Sequence, residues 1–497
     1  MNLLRERIII AIFITPILKL MKLMKSRPCI VGIDFGTTSL SAVVIDINSR
    51  CIEKVLCYDT DAYIVFDDPA RREQSVKILS DLFAQVMARI DELPGIEVKT
   101  YGFTGQMHGI IGLDAAGEAV TNLVTWQDRS AGMPAGNGMT ILERMRGETG
   151  ASLSEGYGII ALWKWINIDG RRDITGFCTV ADYFARQLAG KGALAVMDAT
   201  NAHSVGLFDI ASGDWDRESI TRLGLDGVAF PRVTAGPAVI GSRNTGEESV
   251  PVVCAIGDNQ ASFMGSVTER RHSILLNVGT GTQLSFLIDK DETGIFSKYI
   301  DGYDTQLRPF DEQAMLVATS FLSGGTTYRT LFEFFRRTAA DLFGVGDVDE
   351  DKLWKNMEAC ARAAIAEGGI PEVSPQLDGT RSDPAARGKV EGLSVSNFTP
   401  GGLTAGFLRG LAGYYRTGFF PELEGRVAHI CGSGNGLKRN ALLRSIVEEV
   451  FQRPLAMVPY GEEAAVGAAV NAGLVCGVFA DSDEAGTFLK SLAGDPR

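Results

Sequence analysis

The chain has 497 residues, with 61 acidic against 48 basic side chains and a net charge of -13. That acidic excess excludes broad nucleic-acid binding, which needs a basic surface to displace phosphate counterions, and 45% hydrophobic residues with 57 glycines describe a globular protein rich in tight turns. The length calls for two large domains. Eight scattered cysteines without a Cys-x-x-Cys, and four distant histidines, suggest no zinc site, redox dithiol or structural metal; reduced thiols in the cytosol are the default.

Taken in order, the chain begins with an apolar run, Ile8 to Leu18, set between Arg5 and Arg7 and the lysines at 19, 22 and 25. It is short of the roughly 20 residues that span a bilayer and lacks a small-residue cleavage site. A weak anchor, an uncleaved signal-like segment and a start site placed too far upstream compete as explanations. The last is favoured, with Met24 opening an ordinary soluble chain, so residues 1–27 are read as an extension and no membrane association is expected.

A strand-turn-strand follows, Ile33-Asp34-Phe35-Gly36-Thr37-Thr38-Ser39 into Leu40 to Asp46, and it recurs 243 residues later as Leu276-Asn277-Val278-Gly279-Thr280-Gly281-Thr282 into Gln283 to Asp289. Without a gap, Asp34 falls on Asn277, Gly36 on Gly279, Thr37 on Thr280 and Ser39 on Thr282. Such a tip crowds backbone N–H and hydroxyl donors where phosphate oxygens would fit. One copy alone could simply join two strands; two copies suggest similar domains facing a shared cleft.

The spacing of Val76, Leu79, Leu82, Phe83, Val86 and Ile90 predicts a helix over Gln74 to Ile90, stopped by Leu93-Pro94-Gly95. A strand, Val98 to Phe103, ends in Thr104-Gly105-Gln106-Met107-His108-Gly109, followed by a strand over Ile110 to Leu113. The flanking glycines permit close approach of a ligand to Gln106 and His108, although a structural histidine is the competing explanation. Thr125-Trp126-Gln127-Asp128-Arg129 combines groups that bind sugars, or else forms a salt-bridged turn anchored by Trp126. Gly156-Tyr157-Gly158 is a flexible turn or the flank of a binding loop. A helix is expected over Ala181 to Leu188 and a turn over Gly213 to Asp216.

Val252 to Ile256 reads as a strand running into Gly257-Asp258-Asn259. Asp258 is either the N-cap of the next helix or a proton acceptor at the carboxyl end of a strand, and the roles are compatible. Ser323 to Thr327 and Gly401-Gly402 add glycine punctuation, the latter opening a helix through Tyr415. A strand over Val427 to Cys431 then enters Gly432-Ser433-Gly434-Asn435-Gly436 and a helix from about Arg439 to Phe451, a loop and helix start that expose backbone N–H groups. It matches neither a Walker A loop nor Gly-x-Gly-x-x-Gly. The Ala/Gly-rich helix Glu462 to Ala472 is built for close packing.

In this order the pieces resemble the FGGY family of carbohydrate kinases, over about residues 28 to 480. The resemblance implies an α/β fold, the two-domain actin-like ATPase (ribonuclease H-like) architecture, with a duplicated β-hairpin phosphate loop and an interdomain cleft. It implies a sugar-binding domain over 28–268, an ATP-binding domain over 269–485 and a tail over 486–497. By position it marks Asp258 as catalytic base; Gln106, Met107, His108, Asp128 and Asn259 as sugar contacts; and Asp34 as the carboxylate near magnesium. Gly36, Thr37, Thr38, Gly279, Thr280, Gly281 and Thr282 correspond to phosphate-loop positions, and Gly325, Gly432, Gly434 and Asn440 to the rest of the nucleotide site. The glycine loop departs from the usual Gly-Gly-Gly-Ala, and the apolar extension is foreign to the family.

The implied activity is transfer of the γ-phosphoryl group of MgATP to a ketose hydroxyl in the cytoplasm. Thr125 to Asp128 and Gly156 to Gly158 are most similar to sedoheptulokinases, whereas Gln106 to His108 are shared with xylulokinases. An actin-like or chaperone-type ATPase is the alternative from another class, and it leaves the polar clusters around His108 and Asp128 without a role. A homodimer is compatible with the sequence.

Overall fold

The computed structural model describes residues 26–492 apart from 191, 194, 246–247 and 302–303, so the apolar run and the end of the tail lie outside the described residues. The chain forms two compact units: one comprises the chain through Thr268 together with Tyr460 onward, the other Glu269–Pro459. Residues 460–485, expected in the second domain, therefore belong to the first. An Ala/Gly-rich helix announces close packing but carries no mark of its partner.

The first unit opens with β1 (Arg27–Phe35), β2 (Ser39–Asp46) and β3 (Cys51–Asp59). β1 and β2 are apolar almost throughout and buried on both faces, the pattern of inner strands. Ser75 caps α1 (Val76–Asp91), its hydroxyl accepting the Ile78 N–H at 3.3 Å, and Val76, Leu79, Phe83, Val86, Met87 and Ile90 form the buried face. β4 (Ile96–Gly105) returns parallel to β1. Helices α2 (Gly158–Asn167), α3 (Val180–Ala189) and α4 (Ala199–Val205) follow, then β5 (Val239–Thr245), β6 (Glu248–Val253), β7 (Ile256–Gly257) and α5 (Asp258–Ser266). The sheet runs β5-β6-β4-β1-β2-β3, with β7 added alongside β4.

The second unit contains β8 (Ser273–Val278), β9 (Thr282–Asp289), β10 (Thr305–Pro309), β11 (Ala314–Phe321), α6 (Gly325–Phe343), α7 (Pro400–Arg416), β12 (His429–Ser433), α8 (Ala441–Phe451) and β13 (Leu455–Met457). Its sheet runs β10-β11-β9-β8-β12-β13. The series β3-β2-β1-β4-β6 and β11-β9-β8-β12-β13 both read antiparallel, antiparallel, parallel, parallel. The duplication therefore extends from the hairpin to the whole sheet.

The ungapped alignment of the two hairpins fails after the turn. Phe35 pairs with Leu40, so four residues form the first turn; Val278 pairs with Thr282, so three form the second. Leu40, Ala42 and Val44 face the first core, and Leu284, Phe286 and Ile288, not Gln283, Ser285 and Leu287, face the second. A one-residue slip reverses every side chain of a strand. It is invisible in sequence here because both strands are nearly continuous apolar runs rather than alternating ones.

The last long helix, α9 (Glu463–Val475), lies in the first unit against β1, β4 and α5 through glycines. A Cβ at Gly32 would fall 1.8 Å from the Ala465 carbonyl oxygen, at Gly102 1.9 Å from that of Ala468, and at Gly467 1.8 Å from that of Ala261. Backbone meets backbone at these points, which no other residue type allows.

Candidate active site

In the first unit the carboxyl ends of three parallel strands converge. Asp34 is the penultimate residue of β1, Gln106 to His108 follow β4, and Asp258 follows β7. β4 lies between the other two, with Gly105 paired to Phe35 on one side and Gly257 on the other. Ligands of open α/β sheets bind at this edge.

Asp34 is half-buried, and its Oδ1 is enclosed without a hydrogen-bond partner. Burial, then the Asp258 carboxylate, then Glu462 push its pKa up to about 8. Glu462 stands in the left-handed region at φ +56°, an uncommon backbone for its residue type. No cage of three or more His, Cys, Asp or Glu side chains forms among the described residues. An enclosed oxygen under like-charge repulsion nevertheless fits a divalent cation that takes its remaining oxygens from a phosphate.

Asp258 is the first residue of α5, and Gly257 is its N-cap, with no side-chain capping bond. The N-cap position that the sequence allowed for Asp258 is thus taken by Gly257. Asn259 Nδ2 donates to Asp258 Oδ1 at 2.6 Å and lies 3.4 Å from Met107 Sδ. These three sequence-marked residues form one contact group.

His108 takes left-handed backbone at φ +74°. Its ring stacks on Tyr157 with centroids 4.8 Å apart and planes 9° from parallel. Its carbonyl accepts the Gly158 N–H at 2.8 Å, and a Cβ at Gly158 would sit 2.6 Å from that oxygen, which accounts for the glycine. Nδ1 lies 2.7 Å from the Ser204 carbonyl. A carbonyl only accepts, so Nδ1 carries a proton, and in the neutral ring Nε2 is the acceptor.

The first turn is held by side chains. Gln74 Nε2 donates to the Thr37 carbonyl at 2.7 Å, its Oε1 accepts from Gln106 Nε2 at 2.8 Å, and Trp126 Nε1 donates to Thr37 Oγ1 at 3.0 Å. Gln106 is buried, placing it under the turn as a support for Thr37. Trp126 is 44% exposed, so it is not the core anchor that the sequence allowed; a large half-open aromatic beside a polar turn suits a ligand wall. Asp128 is buried and closes a local turn, one oxygen accepting the Arg72 N–H at 2.9 Å and the other the Ser130 N–H at 2.9 Å and its hydroxyl. Its carboxylate supports the segment carrying Trp126.

The second unit presents Thr280 and Gly281 exposed at the tip of its hairpin. Here most of the support is backbone. Gly325 N–H donates to Gly279 O at 2.8 Å, and Thr326 donates to Thr280 O from its N–H at 3.2 Å and its hydroxyl at 3.1 Å. Gly434, at φ +82°, would place a Cβ 2.4 Å from Val278 O and 2.6 Å from Asn277 Oδ1. Gly432, proposed from sequence as a nucleotide contact, is buried in β12 against Met457, Leu455 and Leu437, where the absence of a side chain serves packing. Asn440 caps α8, its Oδ1 accepting the Leu443 N–H at 2.9 Å, and it hydrogen-bonds Tyr328. The helix expected from Arg439 therefore starts at Ala441, preceded by a short turn of helix over Asn435–Lys438.

Sequence reasoning missed Gln74 and Glu462, and it named Tyr157 without a partner. Gln74 reads as the first residue of an ordinary helix, and its two partners lie 37 and 32 residues away.

Comparisons with known proteins place the fold and its first part. Residues 29–265 match the FGGY family of carbohydrate kinases, N-terminal domain. Sedoheptulokinase of Mus musculus is 25% identical over 482 residues, covering 90% of this chain and 98% of its own length. The solved gluconate kinase of Lactobacillus acidophilus superposes with a TM-score of 0.74 at 21% identity, covering 93% of this chain and 92% of its own. The xylulose kinase of the same organism gives 0.73 at 20%, with the same coverage. The chain has the actin-like ATPase fold that these structures share, and its residues 29–265 are matched to the N-terminal domain of the FGGY family of carbohydrate kinases.

Proposed function

We propose that the chain transfers the γ-phosphoryl group of MgATP to a hydroxyl of a ketose, with sedoheptulose the preferred acceptor. The observation that carries the reaction type is Asp258. It stands at the carboxyl end of β7, begins α5 after the N-cap Gly257, and is oriented by Asn259. Near-complete coverage of a sedoheptulokinase at 25% identity supports the choice of sugar.

In this mechanism Met107, His108, Trp126 and Asn259 bind and orient the ketose, with His108 Nε2 accepting from a sugar hydroxyl. The acceptor oxygen attacks the γ phosphorus, the bond to ADP breaks, and the hydroxyl proton passes to Asp258. Thr37 and Thr38 of the first turn and Gly279 to Thr282 of the second offer donors to phosphate oxygens, while Gly325 and Gly434 keep the second turn open to the nucleotide. Asp34 would hold magnesium, which neutralises charge on the phosphates when bound. Positioning and charge stabilisation carry most of the rate, so the protein forms no covalent intermediate. The cytoplasm supplies both substrates; among the described residues no helix is long and apolar enough to cross a membrane.

The test is ADP release coupled to a reporter, with MgATP and a panel of sedoheptulose, xylulose, ribulose and glycerol. Sedoheptulose should give the highest kcat/KM, and a stronger response to another sugar would replace the substrate. Turnover independent of every sugar would replace the kinase by an ATPase cycle. Asp258→Asn should lower kcat about a thousandfold and leave sugar affinity within about threefold; undiminished turnover in that variant would remove Asp258 from the role.

A further inference from the structure

α4 is seven residues long and lies outside every motif, yet its residues hold two of the functional segments of the first unit. Asp198, the residue before it, accepts the Thr200 N–H at 2.9 Å and the Thr200 hydroxyl at 2.6 Å through Oδ1. Having donated its proton there, Thr200 Oγ1 accepts the Gly257 N–H at 2.9 Å. Gly257 immediately precedes Asp258. Asp198 and Thr200 are buried, so this relay of two bonds is dry and each bond polarises the next.

The adjoining peptides are held as firmly. Asn201 Nδ2 donates to Ala255 O at 3.2 Å, the Ala255 N–H donates to Asp182, and Thr104 Oγ1 donates to Ile256 O at 2.8 Å. One turn further along α4, Ser204 Oγ donates to Asn201 O at 2.8 Å and accepts the His108 N–H at 3.2 Å, while the Ser204 carbonyl meets His108 Nδ1. Main-chain pairing alone does not need four side chains to pin three consecutive residues ahead of a carboxylate.

We propose that Thr200 is a positioning residue for Asp258, and that α4 sets the base and His108 in register on one acceptor hydroxyl. This rests on Asp258 being the base. Thr200→Val keeps the shape of the side chain and deletes the relay, whereas Thr200→Ser keeps the hydroxyl. The Val variant should lose kcat by about 10- to 100-fold, the scale of a small misplacement of a reacting group, with KM for sugar and ATP within about threefold; the Ser variant should stay within about threefold of the parent in every constant. Amide exchange over residues 255–258 should quicken in the Val variant alone.

Unchanged kcat in Thr200→Val overturns the proposal, as does equal loss of kcat and sugar binding in both variants, which is what a purely structural role produces. Should Thr200→Val not accumulate as folded protein, Asn201→Ala removes the neighbouring bond and carries the same test, with a kcat loss of about 3- to 10-fold at constant KM expected and no loss overturning the proposal. A parent protein inactive on every sugar would defeat the kinase reading instead; the amide exchange then still decides the clamp, supporting it if faster only in Thr200→Val and overturning it if unchanged.

Discussion

The two hairpins share a strand order and nearly a sequence, and they are held differently. The first turn has four residues and rests on side chains, Gln74 beneath it and Trp126 beside it. The second has three and rests mostly on the backbone of Gly325, Thr326 and Gly434, with the Thr326 hydroxyl added. At matched positions the first carries Asp34 and the second the neutral Asn277. A duplicated backbone thus has one copy specialised for charge and the other for close access. Side-chain supports tolerate adjustment; glycine contacts do not.

Exchanging the charge should give the largest effect. Asp34→Asn makes the first hairpin neutral like the second, and kcat should fall about 10²- to 10³-fold in the ADP-release assay, the range for removing one group that stabilises transition-state charge. Stability should move the other way. The folded pKa of Asp34, about 8, lies above the ordinary carboxylate value of 3.8, so the parent protein loses stability as pH rises from roughly 4 through 8. In metal-free protein the Asn variant should therefore melt higher than the parent at pH 9, with the advantage gone near pH 4. A lower melting temperature at pH 9 would contradict the burial and repulsion assigned to Asp34.

Testing the supports comes next. Gly434→Ala forces a side chain into left-handed backbone and onto Val278 O, and should destabilise by about 1–3 kcal/mol while raising KM for ATP. Gly36→Ala is the counterpart in the first turn. Its Cβ would meet Ser39 O at 3.0 Å without a positive φ, so the change should stay under about 1 kcal/mol. Equal losses in chemical denaturation would erase the distinction between the two hairpins.

The smallest effect belongs to Trp126→Phe, which removes the bond to Thr37 Oγ1 and keeps most of the ring. Because Trp126 is half exposed, stability should change by about 0.5 kcal/mol or less. KM for the sugar should rise severalfold, and an unchanged KM would take Trp126 out of the sugar wall.

Local features were legible in the sequence to the extent that their causes were local. The helix stopped by Leu93-Pro94-Gly95 and the helix through Tyr415 lie within a residue or two of their expected limits, whereas the strand expected over Val252 to Ile256 is split into Glu248–Val253 and Ile256–Gly257 ahead of the helix at Asp258. The one-residue slip between β2 and β9 was hidden because apolar runs buried on both faces fit two registers equally well. Asp128 carried the right residue type for a sugar contact, but its partner Arg72 lies 56 residues upstream, and no periodicity announces such a pairing. The clamp of α4 on Gly257 was hidden for the same reason, since Thr200 and Gly257 are 57 residues apart.

The seat of α9 on Gly32 and Gly102 has a consequence for biosynthesis. β1 leaves the ribosome well before the helix that covers it, with the other unit made between them. The intervening unit, continuous from Glu269 to Pro459, has all its strands before α9 is translated. The earlier-made unit must therefore wait, its sheet partly bare, until α9 is made, and a fragment ending at Thr268 should aggregate where one carrying both segments of the unit stays monodisperse.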